Sequence, residues 1–113
     1  MNITRSDPDA SLPLAPEWYE RIANAREARD LVMVARAFID GWSPVDLAKL
    51  PPGARPGRIG DVDDIANIAY ELAQERLKGQ LPRDIDKLAT RMHAFFSNAA
   101  ARAALLASHR TLP

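Results

Sequence analysis

The segment PPGARPGRIG, residues 51–60, holds three prolines and three glycines. Proline fixes φ and removes a backbone donor, while glycine adds backbone freedom, so no regular element survives that density. The chain is therefore divided here into an upstream and a downstream part. Neither part alternates apolar and polar residues with period two over a useful length. Both show apolar spacings of three and four, the mark of helices packed on one face. The pattern predicts an all-α fold: a compact bundle of three long helices, at about 16–40, 61–78 and 83–108, and one short helix at about 44–50.

Upstream, Pro16 and Glu17 suit the first turn of a helix, through the fixed φ of proline and the positive end of the helix dipole. No further proline or glycine occurs before Gly41. One helix over 16–40 is the expectation, with Gly41 able to end it in a left-handed conformation. Trp18, Ile22, Ala25, Ala28, Leu31, Val32, Ala35, Phe38 and Ile39 form its apolar face. Arg26, Arg29, Asp30, Arg36 and Asp40 form the opposite stripe, and Met33 falls among them. Next, Ser43-Pro44-Val45-Asp46 combines a capping serine, a proline at the first helical position and an acid three residues after the cap. The short helix it starts ends before Pro51-Pro52. Val45, Leu47 and Leu50 are expected to point inward, with Trp42 packed beside them.

Downstream, Asp61, Asp63 and Asp64 crowd a helix start, where the dipole favours negative charge. Val62, Ile65, Ala66, Ala69, Leu72, Ala73 and Leu77 follow as an apolar face, and Lys78-Gly79 closes the helix. The short link to Pro82 predicts an antiparallel return. Ile85, Leu88, Met92, Phe95, Ala99 and Leu106 then carry one stripe through Ser97-Asn98 without a change of phase, which predicts a single last helix. Its alanines at 99, 100, 101, 103 and 104 either permit close approach of another helix or form a solvent-exposed stretch of good helix former.

With 113 residues the chain fits one domain. The expected limits are an N-terminal tail over 1–14, a helical domain over 15–109 and a C-terminal tail over 110–113. The N-terminus lacks the apolar run of a signal peptide, and no apolar stretch approaches membrane-spanning length. A cytoplasmic protein is the expectation. Fifteen basic and fifteen acidic side chains give zero formal net charge, against the basic excess of most nucleic-acid binders. Cysteine is absent, so disulfides, thiolate metal sites and cysteine nucleophiles are excluded.

The residues that carry chemistry form no coherent set. His93 and His109 have no carboxylate or second histidine at the helical spacing of a metal site. Read as a calcium loop from Asp61, the chain has Ile65 at the fifth place, Ala66 where glycine is required and Leu72 where a bidentate acid is required. Ser43 caps a helix and Ser97 lacks a glycine elbow. Arg55 and Arg58 precede a helix N-terminus, a generic anion site, but three aspartates in that turn repel an anion. Pairing of Arg55 or Arg58 with those acids is the expectation. No catalytic residue, cofactor or metal is assigned, and the chain is expected not to be an enzyme.

The stretch 35–50, ARAFIDGWSPVDLAKL, resembles the front part of bacterial helix-turn-helix domains, with Gly41, Trp42, Ser43, Leu47 and Ala48 in the matching places. The resemblance implies a DNA-binding regulator as one reading. The favoured reading is a small binding or regulatory protein that acts through protein contacts and associates with itself. Its motive is the wide apolar arc of Leu31, Val32, Val34, Phe38 and Ile39, which either receives a partner or lies at the centre of a monomeric bundle. The candidate contact residues are Arg29, Met33, Arg36, Trp42, Arg55 and Arg58. An enzyme with a site not visible in sequence is a third reading.

Overall fold

The computed structural model describes residues 14–111, without the side chains of 109–111. The expected tail over 1–14 thus lies outside the described residues apart from Leu14, which is buried, and the side chain of His109 lies outside them too. The elements are α1 (Pro16–Asn24), α2 (Ala28–Asp40), α3 (Pro44–Leu47), a 3₁₀ turn (Pro52–Ala54), α4 (Val62–Lys78) and α5 (Arg83–Thr111). Among the described residues there is no strand, so the fold is all-α as the spacing predicts.

α5 is the spine. Its 29 residues extend about 43 Å at 1.5 Å per residue, and α1, α2 and α4 all pack on it. It runs unbroken through Ser97 and Asn98, whose side chains donate back to the Ala94 carbonyl. It continues to Thr111, beyond the expected end at 108. Gly79 turns the chain from α4 into α5 with φ of 68°, a left-handed value that any side chain would strain. Gly41 does not behave this way. It stays right-handed, at φ −77° and ψ −7°, and closes α2 by donating to the Phe38 carbonyl.

The core centres on five aromatic rings. Phe38 stacks on Phe95 with centroids 4.2 Å apart and planes 6° from parallel. Trp18 meets both edge-on, at 5.2 and 5.9 Å. Phe96 stands edge-on to Phe95 at 5.1 Å, and Trp42 to Phe38 at 5.9 Å. Such pairs add about 0.5–1.5 kcal/mol each beyond the area they bury. Ile65, Ile68, Ala69 and Leu72 of α4 complete the core.

The expected continuous helix over 16–40 is broken. The chain leaves helical conformation at Ala25, with ψ of 128°, and resumes at Ala28. The aromatic core explains the break. Trp18 and Phe38 are twenty residues apart, so a straight helix would separate them by about 30 Å, yet their rings touch. Two local devices make the break stable. Asp30 Oδ2 accepts from the backbone of Arg26 and Glu27, at 3.2 and 3.1 Å, and caps α2. Arg102 reaches from α5 and donates two hydrogen bonds to the Ala25 carbonyl, at 3.1 and 2.8 Å. The apolar phase runs unchanged across the break, which is why the sequence pattern conceals it.

The arc of Leu31, Val32, Val34, Phe38 and Ile39 turns out to be the centre of the bundle. Leu31, Val32 and Phe38 are buried, and Val34 and Ile39 are half-buried against the same core. Little of it is left open, with Val32 and Ile39 reaching only the edges of surface depressions. The alanine run of α5 is divided in the same way: Ala99 is buried, Ala100 and Ala103 pack at its edge, and Ala101 and Ala104 are exposed. The helix α3 lasts a single turn, so its residues cannot all face one way. Leu50 is buried and Leu47 half-buried, while Val45 is 70% exposed rather than inward.

The segment 51–60 is irregular but pinned. Ala54, Pro56 and Ile59 are buried, and Arg55 Nε donates to the Leu50 carbonyl at 2.7 Å. Replacing Arg102 by methionine, which keeps much of the side-chain volume, leaves the Ala25 carbonyl without its donors. The expected loss is about 1–3 kcal/mol of unfolding free energy, read from urea titration, with the folded helix content unchanged.

Candidate functional site

Among the described residues, Val45 and Leu105 are exposed singly, while two surfaces combine exposed apolar side chains with neighbouring ones. The first is a groove of about 390 Å³ between the outer face of α2 and the start of α4. Val32, Met33 and Val62 supply apolar walls, and Arg29, Arg36 and Asp61 supply charge. Met33 is 66% exposed. The groove exists because the loop before α4 is fastened on both sides. Arg36 Nε donates to the Ile59 carbonyl at 2.8 Å. Asp64 Oδ2 accepts from the backbone of Gly60 and Asp61, at 2.7 and 3.2 Å, and Asp61 Oδ1 accepts from the Asp64 N–H at 3.1 Å. This reciprocal cap fixes the first turn of α4.

The cap also accounts for a correction. The expected pairing of Arg55 or Arg58 with Asp61, Asp63 or Asp64 does not occur: among the described residues no ion pair joins them. Asp61 and Asp64 spend oxygens on backbone amides instead, and Arg55 points back to Leu50. Arg58 lies with Arg36, Asp40 and Ile59 around a smaller depression of about 250 Å³.

The structure thus gathers some of the candidate contact residues and separates others. Arg29, Met33 and Arg36 share the groove, and Arg36 also borders the depression at Arg58. The Arg29 guanidinium lies 3.6 Å from the Glu27 carboxylate, an exposed pair that contributes little. Trp42 stands elsewhere. It packs on Phe38 and floors an open depression of about 280 Å³ beside Lys49, Lys87 and Arg91, where Asp46 pairs with Lys49 at 3.2 Å. Arg55 serves the loop.

The second surface lies on α4 and was missed by the sequence pattern. The expected face placed Ala66 and Leu77 in the core. Ile65, Ile68, Ala69 and Leu72 are buried there, Val62 and Ala73 are half-buried, and Ala66 is exposed. Ile68 turns the buried face away from Leu77, which is 79% exposed, and Tyr70 is 61% exposed. Ala66, Tyr70, Ala73 and Leu77 follow one another at spacings of four, three and four. They form an outer stripe roughly 60° wide beside the buried one. The sequence carries this second periodic set, but Ala66, Ala73 and Leu77 also fit the expected face, and Tyr70 stands outside that face.

His93 is half-buried on α5. Burial, and then the nearby charge of Arg76, push its pKa below the ordinary 6.5. Arg76 also pairs with Asp86 across the α4–α5 contact, at 3.7 Å. No family model, no characterised protein and no solved structure matches this chain. Among the described residues no helix is long and apolar enough to cross a membrane.

Two outcomes are expected. Asp64→Ala removes the acceptor for Gly60 and Asp61 and lowers stability by about 1 kcal/mol, measured by thermal melting. The lowered pKa of His93 makes the unfolded chain the better proton acceptor. The stability this contributes is complete above the ordinary 6.5 and declines as pH falls through the lower folded value. A melting series from pH of about 7.5 to about 5 shows that decline, and His93→Gln flattens it.

Proposed function

We propose that this chain is a small protein of binding or regulatory type that works in the cytoplasm through protein contacts, pairs with a second copy of itself and performs no catalysis. The observation that carries the reading is the outer stripe of α4. Single exposed apolar side chains are ordinary on a monomer. Here a tyrosine and a leucine project from one line of a helix, 61% and 79% exposed, with only alanine between and before them. That line contributes little to the fold of one chain and suits burial against another helix. The apolar groove at Met33 gives a second surface of the same kind, set between two arginines.

The helix-turn-helix reading is less well supported. α3 is a single turn, and the next long helix begins only after the loop over 51–60. That helix opens with Asp61, Asp63 and Asp64, which repel the phosphates a recognition helix must approach.

Sedimentation equilibrium of the full chain between about 10 and 300 µM tests the proposal. A monomer–dimer equilibrium is expected, together with no salt-dependent binding to random duplex DNA at low ionic strength. A strict monomer over that range defeats self-association. Salt-dependent duplex binding would favour the DNA reading instead.

A further inference from the structure

We propose that two copies of this chain pair through the outer stripes of their α4 helices, antiparallel, about a two-fold axis midway between Tyr70 and Ala73. This rests on the self-association argued above and adds its face, direction and register.

The stripe has the spacing of two heptads of a helix pair: Ala66, Tyr70, Ala73 and Leu77 fall on successive core positions. Its composition alternates small and large. In an antiparallel pair centred between Tyr70 and Ala73, Tyr70 of one copy lies opposite Ala73 of the other. Leu77 lies opposite Ala66. Every large side chain then meets a methyl group, four times around the two-fold axis, and the helices approach closely along the whole stripe. A parallel pair sets tyrosine on tyrosine and leucine on leucine, with alanine layers between that leave gaps. Packing at native density favours the first arrangement.

Charge selects the same direction. α4 is acidic in its first turn, with Asp63 and Asp64 after the Asp61 cap, and basic in its last, with Arg76 and Lys78. Antiparallel copies bring the Asp63 end of each helix to the Lys78 end of the other, and the two helix dipoles oppose favourably. Parallel copies set like charge beside like. Arg76 is held on the α5 side by Asp86, so Lys78, which binds Glu75 at 3.0 Å within its own helix, is the base nearer the partner's acidic end. Asn67 and Gln74, both exposed, flank the stripe and face each other across the pair as uncharged hydrogen-bonding partners. Glu71 and Glu75 lie on the far side of the helix from the stripe.

A pair of 17-residue helices is small beside the ~1,200 Å² of stable complexes, so association in the micromolar range is the expectation.

The test uses the full chain. Leu77→Glu and Tyr70→Glu each weaken dimerisation at least tenfold in sedimentation equilibrium, with unchanged circular dichroism, since both side chains are largely exposed in the monomer. The chain has no cysteine, so single cysteines report the register cleanly. Asp63→Cys mixed with Lys78→Cys cross-links with a short bis-maleimide, while neither variant alone does. A wild-type chain that stays monomeric overturns self-association and this proposal with it. A dimer indifferent to both glutamate substitutions overturns the face alone. Cross-linking of like with like, Asp63→Cys to itself, overturns the antiparallel register.

Discussion

The contact between Trp18 and Phe38, 5.2 Å from centroid to centroid, sets the terms for the rest of the molecule. Two residues that a straight helix would hold about 30 Å apart must meet over Phe95, so the N-terminal helix has to fold back on itself. The fold-back exposes a backbone carbonyl at Ala25, and the Arg102 guanidinium from α5 answers it with two donors. A charged donor here is well matched, because a buried carbonyl without a partner costs as much as a small core truncation. The aromatic cluster thereby draws α1, α2, the turn at Trp42 and α5 to one point.

Once those elements are drawn together, α4 has limited choice. It is tethered at one end by the pinned loop and at the other by Gly79. Its buried face must reach α5, α2 and the 3₁₀ turn at once. The solution uses Ile65, Ile68, Ala69 and Leu72 and leaves the next stripe outside. The loop over 51–60 is therefore more than a connection. With Arg55 on Leu50, Arg36 on Ile59 and Asp64 on Gly60, it fixes where α4 begins and hence how that helix is rotated.

Local chemistry was readable where a cap decides the outcome, as at Asp61 with Asp64, at Ser43, and at Gly79 as the end of α4. The unbroken α5 was readable from the phase of its stripe, whereas Gly41 closes α2 in a right-handed conformation and not in the left-handed one expected of it. The break at 25–27 and the rotation of α4 share one cause: both depend on partners distant in sequence. The break at 25–27 needs Phe95 and Arg102, and the intact apolar phase on either side hides it. The rotation of α4 depends on Ile68 finding core, which no spacing within α4 decides. The apolar surplus that the pattern places at Leu31–Ile39 on α2 is absorbed by the bundle, and the two most adjacent exposed apolar side chains are Tyr70 and Leu77 on α4. Among the candidate contact residues, Met33, Arg29 and Arg36 converge because they share one helix face. Arg55 could not be placed from sequence, since its partner is a backbone carbonyl that carries no sequence signal.

One chain leaves the outer stripe of α4 uncovered, and we propose that a second copy covers it. A dilution series of amide NMR spectra tests this residue by residue. Concentration-dependent shifts confined to α4 and its immediate flank are expected, largest at Ala66, Tyr70, Ala73 and Leu77, with α2 unaffected. Shifts centred on Met33 and Arg36, or no shift at any concentration, would contradict it.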